Sequence, residues 1–94
     1  VSNHEEKITI VEDANIVAYL VMKGFIAIPY IKKEAIGNES SRVAWEVQGD
    51  IKKEVDEFYN NSKVDVYSFV RALKDVRAEM YNIKQINNQL KEDN

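Results

Sequence analysis

Between Asp65 and about Lys91 the apolar residues recur on two columns of one helix face. Val66, Leu73 and Met80 fill one column, and Phe69, Val76, Ile83 and Leu90 fill the other. Asn87 interrupts the first. This is the alternating three-and-four spacing of an amphipathic helix, sustained over several heptads and free of Pro and Gly. Such a helix is roughly 40 Å long at 1.5 Å per residue. A compact domain of this size has a radius of gyration of about 12 Å, hence a diameter near 30 Å. The helix outruns the body that carries it, so its far end either projects or meets a second chain.

The body must be one domain, since the chain has 94 residues. Hydrophobic residues make up 45% and charged residues 31%, which is globular usage and excludes wholesale disorder. A core of this size is adequate without being generous, and burial by a partner would add to it. The formal net charge of -3 gives no whole-molecule attraction to DNA or to an anionic membrane. With no Cys there is no disulfide framework, no thiolate zinc site and no Cys nucleophile, and a reducing, cytoplasmic setting fits. The first ten residues are polar and acidic, unlike a targeting segment. The most apolar stretch, Ala14 to Ile31, contains Lys23, Gly24 and Pro29 and divides into two elements of different period, so no membrane span is expected.

Taken in order, residues 1–6 read as a frayed end. Lys7 to Val11 is β-branched and reads either as a short strand or as an extended lead-in that packs Ile8 and Ile10 on the core. Asp13 is placed to cap a helix over Ala14 to Lys23, with Gly24 just past its end. Ile16, Val17, Leu20 and Val21 give that helix a face that Ala14, Ala18 and Met22 widen, which predicts a central position in the domain. Phe25 to Ile31 reads as a strand that lies at a sheet edge or is bulged at Pro29, because Pro29 cannot donate to a ladder. A turn at Gly37-Asn38 leads into Arg42 to Val47, where Val43, Trp45 and Val47 alternate with Arg42, Ala44 and Glu46. The two strands make a hairpin that needs a helix to cover it. Asp50 is expected to cap a second helix over Ile51 to Tyr59, burying Ile51, Val55, Phe58 and Tyr59. Val64 precedes Asp65, the cap of the long helix, and is placed to staple onto Phe69.

The succession "AYLVMKGF", apolar strand, turn, "RVAWEV" and "VDEFYNNSKVDVYSFVRALKDVRAEMYN" resembles a family of small domains of unknown function from phages and Gram-positive bacteria. The matching residues are Leu20, Lys23, Gly24, Phe58, Tyr59, Asn60, Val64, Asp65, Phe69, Ala72 and Leu73, within about residues 13–83. They are core, cap and turn residues. The resemblance implies a phage or prophage context and a small α+β fold, and it implies no activity.

No constellation carries chemistry. Glu12, Asp13 and Asp50 sit where helix starts favour negative charge, and Glu54 and Glu57 read as solvent-facing. The sole His, His4, lies outside the periodic elements, so neither a Ser/His/Asp site nor imidazole metal ligation is expected. The three Gly are isolated and form no phosphate loop. The chain is read as a non-enzyme with no cofactor and no metal. The last helix has a basic edge of Arg71, Lys74, Arg77 and Lys84, with Tyr67 and Tyr81 among them. That edge is a candidate contact for nucleic acid, diluted by Asp75, Glu79, Glu92 and Asp93.

The expected architecture is α+β: an N-terminal helix, a β-hairpin with room for a third short strand, a second helix and a long C-terminal helix. Residues 1–84 are expected to form the compact domain, with 85–94 as a helical extension. Met80, Ile83, Ile86, Asn87 and Leu90 are the expected oligomer interface, with Ile83, Ile86 and Leu90 placed beyond the reach of the core. The function read from this is an intracellular interaction or adaptor domain that self-associates, most simply as a dimer, and binds a host protein. A nucleic-acid-binding regulator using Arg71, Lys74, Arg77, Tyr81 and Lys84 is the alternative, together with a small-nucleotide sponge built at an oligomer interface.

Overall fold

The computed structural model describes residues 7–32 and 42–92, with side chains as far as 87. Six elements follow one another: β1 (Ile8–Val11), α1 (Ala14–Met22), β2 (Ala27–Lys32), β3 (Arg42–Gln48), α2 (Lys52–Tyr59) and α3 (Val66–Glu92). The fold is α+β, with a three-stranded antiparallel sheet in the order β1-β3-β2. The segment left open between strand and lead-in is thus a strand, pairing Ile8 with Gln48 and Val11 with Trp45. The Gly37-Asn38 turn and His4 lie outside the described residues.

Helix α1 is defined at both ends by its sequence. Asp13 caps it, its Oδ1 accepting from the Asn15 and Ile16 amides at 2.8 and 3.4 Å. At the other end Gly24 has φ +102°, its N–H donates to Val21 O and the Phe25 N–H donates to Leu20 O. This paired arrangement satisfies carbonyls the helix cannot satisfy itself, and it needs a residue free to take positive φ. Between the caps Ile16, Val17, Ala18, Tyr19 and Leu20 are all buried. Val21 faces outward instead.

The inner sheet face supplies Val11, Val43, Trp45 and Val47 to the core, and α1 lies over it. Helix α3 packs chiefly on α1 and also reaches β2. Val76 is the buried centre of its contact, flanked by Phe69, Ala72, Leu73, Met80 and Ile83. Helix α2 packs against α1 and contributes Val55 and Phe58 to the edge of the core.

Four expectations are corrected. Ile8 and Ile10 do not pack on the core: their partners Gln48 and Glu46 belong to the outer sheet face, where the two isoleucines are 50% and 48% exposed. Val66, the first residue of its heptad column, is 73% exposed, because α3 meets the core only from Phe69 onward. Tyr59 projects outward at 67% exposure, a consequence of α2 turning its Val55–Phe58 edge inward. The cap of α2 is Ile51, which makes no side-chain bond; Asp50 stands one residue earlier and accepts from the Lys52 amide at 3.2 Å.

Pro29 does lie in an edge strand, opposite Trp45. The Gln48 N–H donates to Ile26 O. In this register the even-numbered residues of β2 bond to β3, and Pro29 occupies a position that faces away from it. Its missing N–H therefore costs no ladder bond.

Candidate interaction surfaces

Helix α3 was expected to hold both candidate sites, one at the far end of its apolar seam and one along its basic edge. Toward its C-terminal end, Met80 and Ile83 are partly buried against the chain's own core, so the domain reaches them after all. This corrects the placing of Ile83 beyond the reach of the core: α3 lies along α1 and β2 far enough to use it. Ile86 is exposed and Asn87 half-buried, and the Leu90 side chain lies outside the described residues.

The basic residues fall on one flank of α3. At about 100° per residue, Arg71, Lys74, Arg77, Tyr81 and Lys84 occupy an arc of about 140° beside the core-facing stripe. All five are exposed. The four cations make no ion pair with any described residue. Asp75 and Glu79 fall about 100° or more from Lys74, Arg77 and Lys84, whereas Asp75 lies only about 40° from Arg71, one turn along. The acids thus stand apart from all of the basic edge but its Arg71 end. Val66, Tyr67 and Val70 continue that flank toward the N-terminus, all exposed.

The start of α3 is fixed by Asp65. Its Oδ2 accepts from the Ser68 amide at 2.9 Å and the Ser68 hydroxyl at 2.7 Å. These bonds, the hydroxyl's first, hold the carboxyl below the usual aspartate pKa. Glu12 is lowered likewise, first by the hydrogen bond from Lys32 at 2.7 Å and by that ammonium's charge, with Arg42 further off.

A third surface was not foreseen. The outer sheet face carries Ile8 and Ile10 from β1 and Ile28 and Tyr30 from β2, arranged around Glu46 and Gln48 of β3. Ile8, Ile10 and Ile28 are about half exposed, as is neighbouring Ile26, and no described helix covers them. Only the small Ala44 is fully covered there. Alternation in Ile8-Thr9-Ile10 is visible in the sequence, but which parity faces the core is decided by the register with Trp45 and Val47.

A cleft of about 420 Å³ opens where α2 ends and α3 begins. Phe58, Tyr59, Phe69 and Val64 line it with Tyr19, Asn61 and Ser62. The Tyr19 hydroxyl, at the cleft's inner wall, donates toward Glu57 Oε1 (3.1 Å) and Ser62 Oγ (3.0 Å). Glu57 is therefore not the solvent-facing carboxylate expected, since the α1–α2 contact draws it onto Tyr19. Phe58 meets the Tyr19 ring edge-on at 5.7 Å, and the Lys23 ammonium stands 5.4 Å from its centroid. Asn61 turns the chain with φ +61°, a conformation Asn tolerates better than most residues. This network fastens the α2–α3 turn to the buried face of α1. Among the described residues no group of three His, Cys, Asp or Glu side chains is placed to hold a metal ion. No helix among them is long and apolar enough to cross a membrane.

The sequence model of a family described as "Domain of unknown function (DUF5659)" matches residues 6–82 of this chain. The match takes in every element from β1 through the core-packed part of α3, and the chain belongs to this family. No curated protein and no solved structure matches it.

Proposed function

We propose that this member of the DUF5659 family is a small interaction domain that works by binding and by self-association. The observation that carries this reading is the placement of its exposed apolar side chains. Ile8, Ile10 and Ile28 share a sheet face that no described helix covers, and Val66, Tyr67, Val70 and Tyr81 share the outer flank of α3. Single apolar residues are ordinary on a protein surface, whereas several gathered on one face favour contact with another macromolecule. The resemblance to phage and Gram-positive domains adds a setting: a phage- or prophage-encoded protein in the host cytoplasm, with a host protein as partner. The function is binding rather than catalysis. Light scattering over a dilution series tests the self-association, and a mass of 10.9 kDa at every concentration refutes it.

One observation favours a second reading. The segregation of Lys74, Arg77 and Lys84 from Asp75 and Glu79 gives α3 a locally cationic flank despite the net charge of -3. With Tyr67 and Tyr81 on the same flank, that surface suits the phosphates and bases of a nucleic acid. A mobility-shift assay with single- and double-stranded DNA and RNA tests it. Binding that weakens steeply with salt supports this reading, and no shift at low salt removes it.

A further inference from the structure

We propose that two copies of this chain join through the free edge of β1, by antiparallel pairing of Ile8–Ile10 with the same segment of the second copy about a two-fold axis. The inference rests on the self-association proposed above and names the surface that performs it.

The edge is built for pairing. In the sheet order β1-β3-β2, β1 is outermost. The Gly49 N–H donates to Lys7 O at 2.7 Å, which sets the phase of the β1–β3 ladder. Residues 7, 9 and 11 therefore turn their backbone polar groups toward β3, and Ile8 and Ile10 turn theirs outward. No described residue pairs with them. Natural sheets blunt such edges with proline, inward charges or bulges. The opposite edge has its proline, at Pro29. Strand β1 has none between Ile8 and Val11, carries no charge there, and runs in unbroken register.

The occupant follows from the sequence of the edge. Ile8-Thr9-Ile10 reads the same in both directions. Antiparallel self-pairing centred on Thr9 sets Ile8 opposite Ile10 of the second copy, twice, and Thr9 opposite Thr9. The outward groups of Ile8 and Ile10 then make four hydrogen bonds across the axis, with no charged residue inside the paired Ile8–Ile10 segment. Sliding the pairing by two residues sets Ile8 against Glu12, which is already engaged by Lys32. Sliding it by one turns the isoleucines to the wrong face. In the centred register the exposed outer faces merge into one six-stranded surface on which Ile8 and Ile10 gain apolar neighbours. A four-residue edge is about 14 Å long and covers less than the roughly 800 Å² per partner of a standard interface, so the pair exchanges rapidly and forms in the micromolar range or above.

Amide hydrogen exchange of the full chain at rising concentration is the direct test, read beside sedimentation velocity. The Ile8 and Ile10 amides gain protection as the dimer forms, while Thr9, bonded within the subunit, is protected throughout. Ile10→Pro removes an outward N–H and no intrasubunit ladder bond. It weakens dimerisation at least about tenfold through two symmetry-related hydrogen bonds, with the far-UV spectrum unchanged. Ile8→Lys/Ile10→Lys, which keeps the backbone intact, is the second variant and is monomeric. A dimer in which Ile8 and Ile10 exchange as freely as in the monomer, or one that survives the lysine pair, overturns the edge and leaves self-association standing. A wild-type chain that stays monomeric at millimolar concentration refutes both.

Discussion

Trp45 offers the sharpest measure of how the core is held. Its side chain is fully buried on the inner face of β3, within the cluster that includes Val17, Leu20 and Val47. Truncation of a buried Trp to Ala costs about 3–5 kcal/mol, because transfer free energy is lost and a cavity remains. One feature lowers the estimate. The indole N–H is buried and finds no hydrogen-bond partner among the described residues. An unsatisfied buried donor costs about 1–3 kcal/mol, and Trp45→Ala releases that cost. The expected loss is therefore near the lower bound, about 3 kcal/mol. Against a total of roughly 5–14 kcal/mol for a chain of this length, the variant still folds but melts at least about 12 °C lower. Trp45→Phe keeps an aromatic ring, discards the unpaired donor, and is expected to lose less than half as much. The assay is urea unfolding followed by far-UV circular dichroism at one fixed protein concentration, since association adds to apparent stability. Removing the only Trp rules out its own fluorescence as the probe. A loss below about 1 kcal/mol for Trp45→Ala, typical of an exposed site, refutes the burial. Equal losses for Phe and Ala refute the orphaned N–H, because they imply a partner worth as much as the ring.

Tyr19→Phe leaves the ring on Phe58 but removes the hydroxyl shared with Glu57 and Ser62, and is expected to cost about 1 kcal/mol in chemical denaturation; no change would mean the α2–α3 turn is held some other way. At Gly24 an added Cβ meets open space, so any penalty is purely conformational. Gly24→Val should melt well below Gly24→Asn, and equal melting temperatures would refute the positive-φ cap. Asp65 has a folded pKa below its unfolded value near 3.9, so its contribution is present above about pH 4 and is lost as pH falls through the lowered value. Asp65→Asn keeps a capping side chain and should flatten that part of the stability–pH profile; identical acid profiles would refute the assignment.

What could be read from the sequence was what local chemistry decides. Asp13 and Gly24 bracket α1 through bonds made within a few residues, and Asp65 starts α3 in the same way. Pro29 excludes itself from a central strand. The alternation through Val43, Trp45 and Val47 gave the buried face of β3 without any knowledge of its neighbours. What escaped was set by pairing between distant segments. Ile8 and Ile10 have the composition of core residues, and only the register with β3 turns them outward. Ile83 looked too far along the chain to be covered, yet α3 lies along α1 and brings it back onto the core. Glu57 looked solvated until α2 packed it against Tyr19, thirty-eight residues away in sequence. The flank on which Arg71, Lys74, Arg77 and Lys84 gather was legible in helical periodicity and obscured by counting neighbouring acids along the line.

The single proline bears on the arithmetic of assembly. A sheet with two receptive edges has no natural stopping point: each added copy offers a fresh edge, and the product is a fibre. Pro29 stands midway along β2 with its ring in the outward-facing position, so an incoming strand meets a gap in the row of donors there. In the proposed assembly growth is confined to the β1 side, where a two-fold pairing would consume both edges at once. In the proposed pair the stoichiometry is thereby kept finite by one residue about 10 Å from the pairing strand, two strands across the sheet, which would neither contact the second copy nor contribute to its affinity.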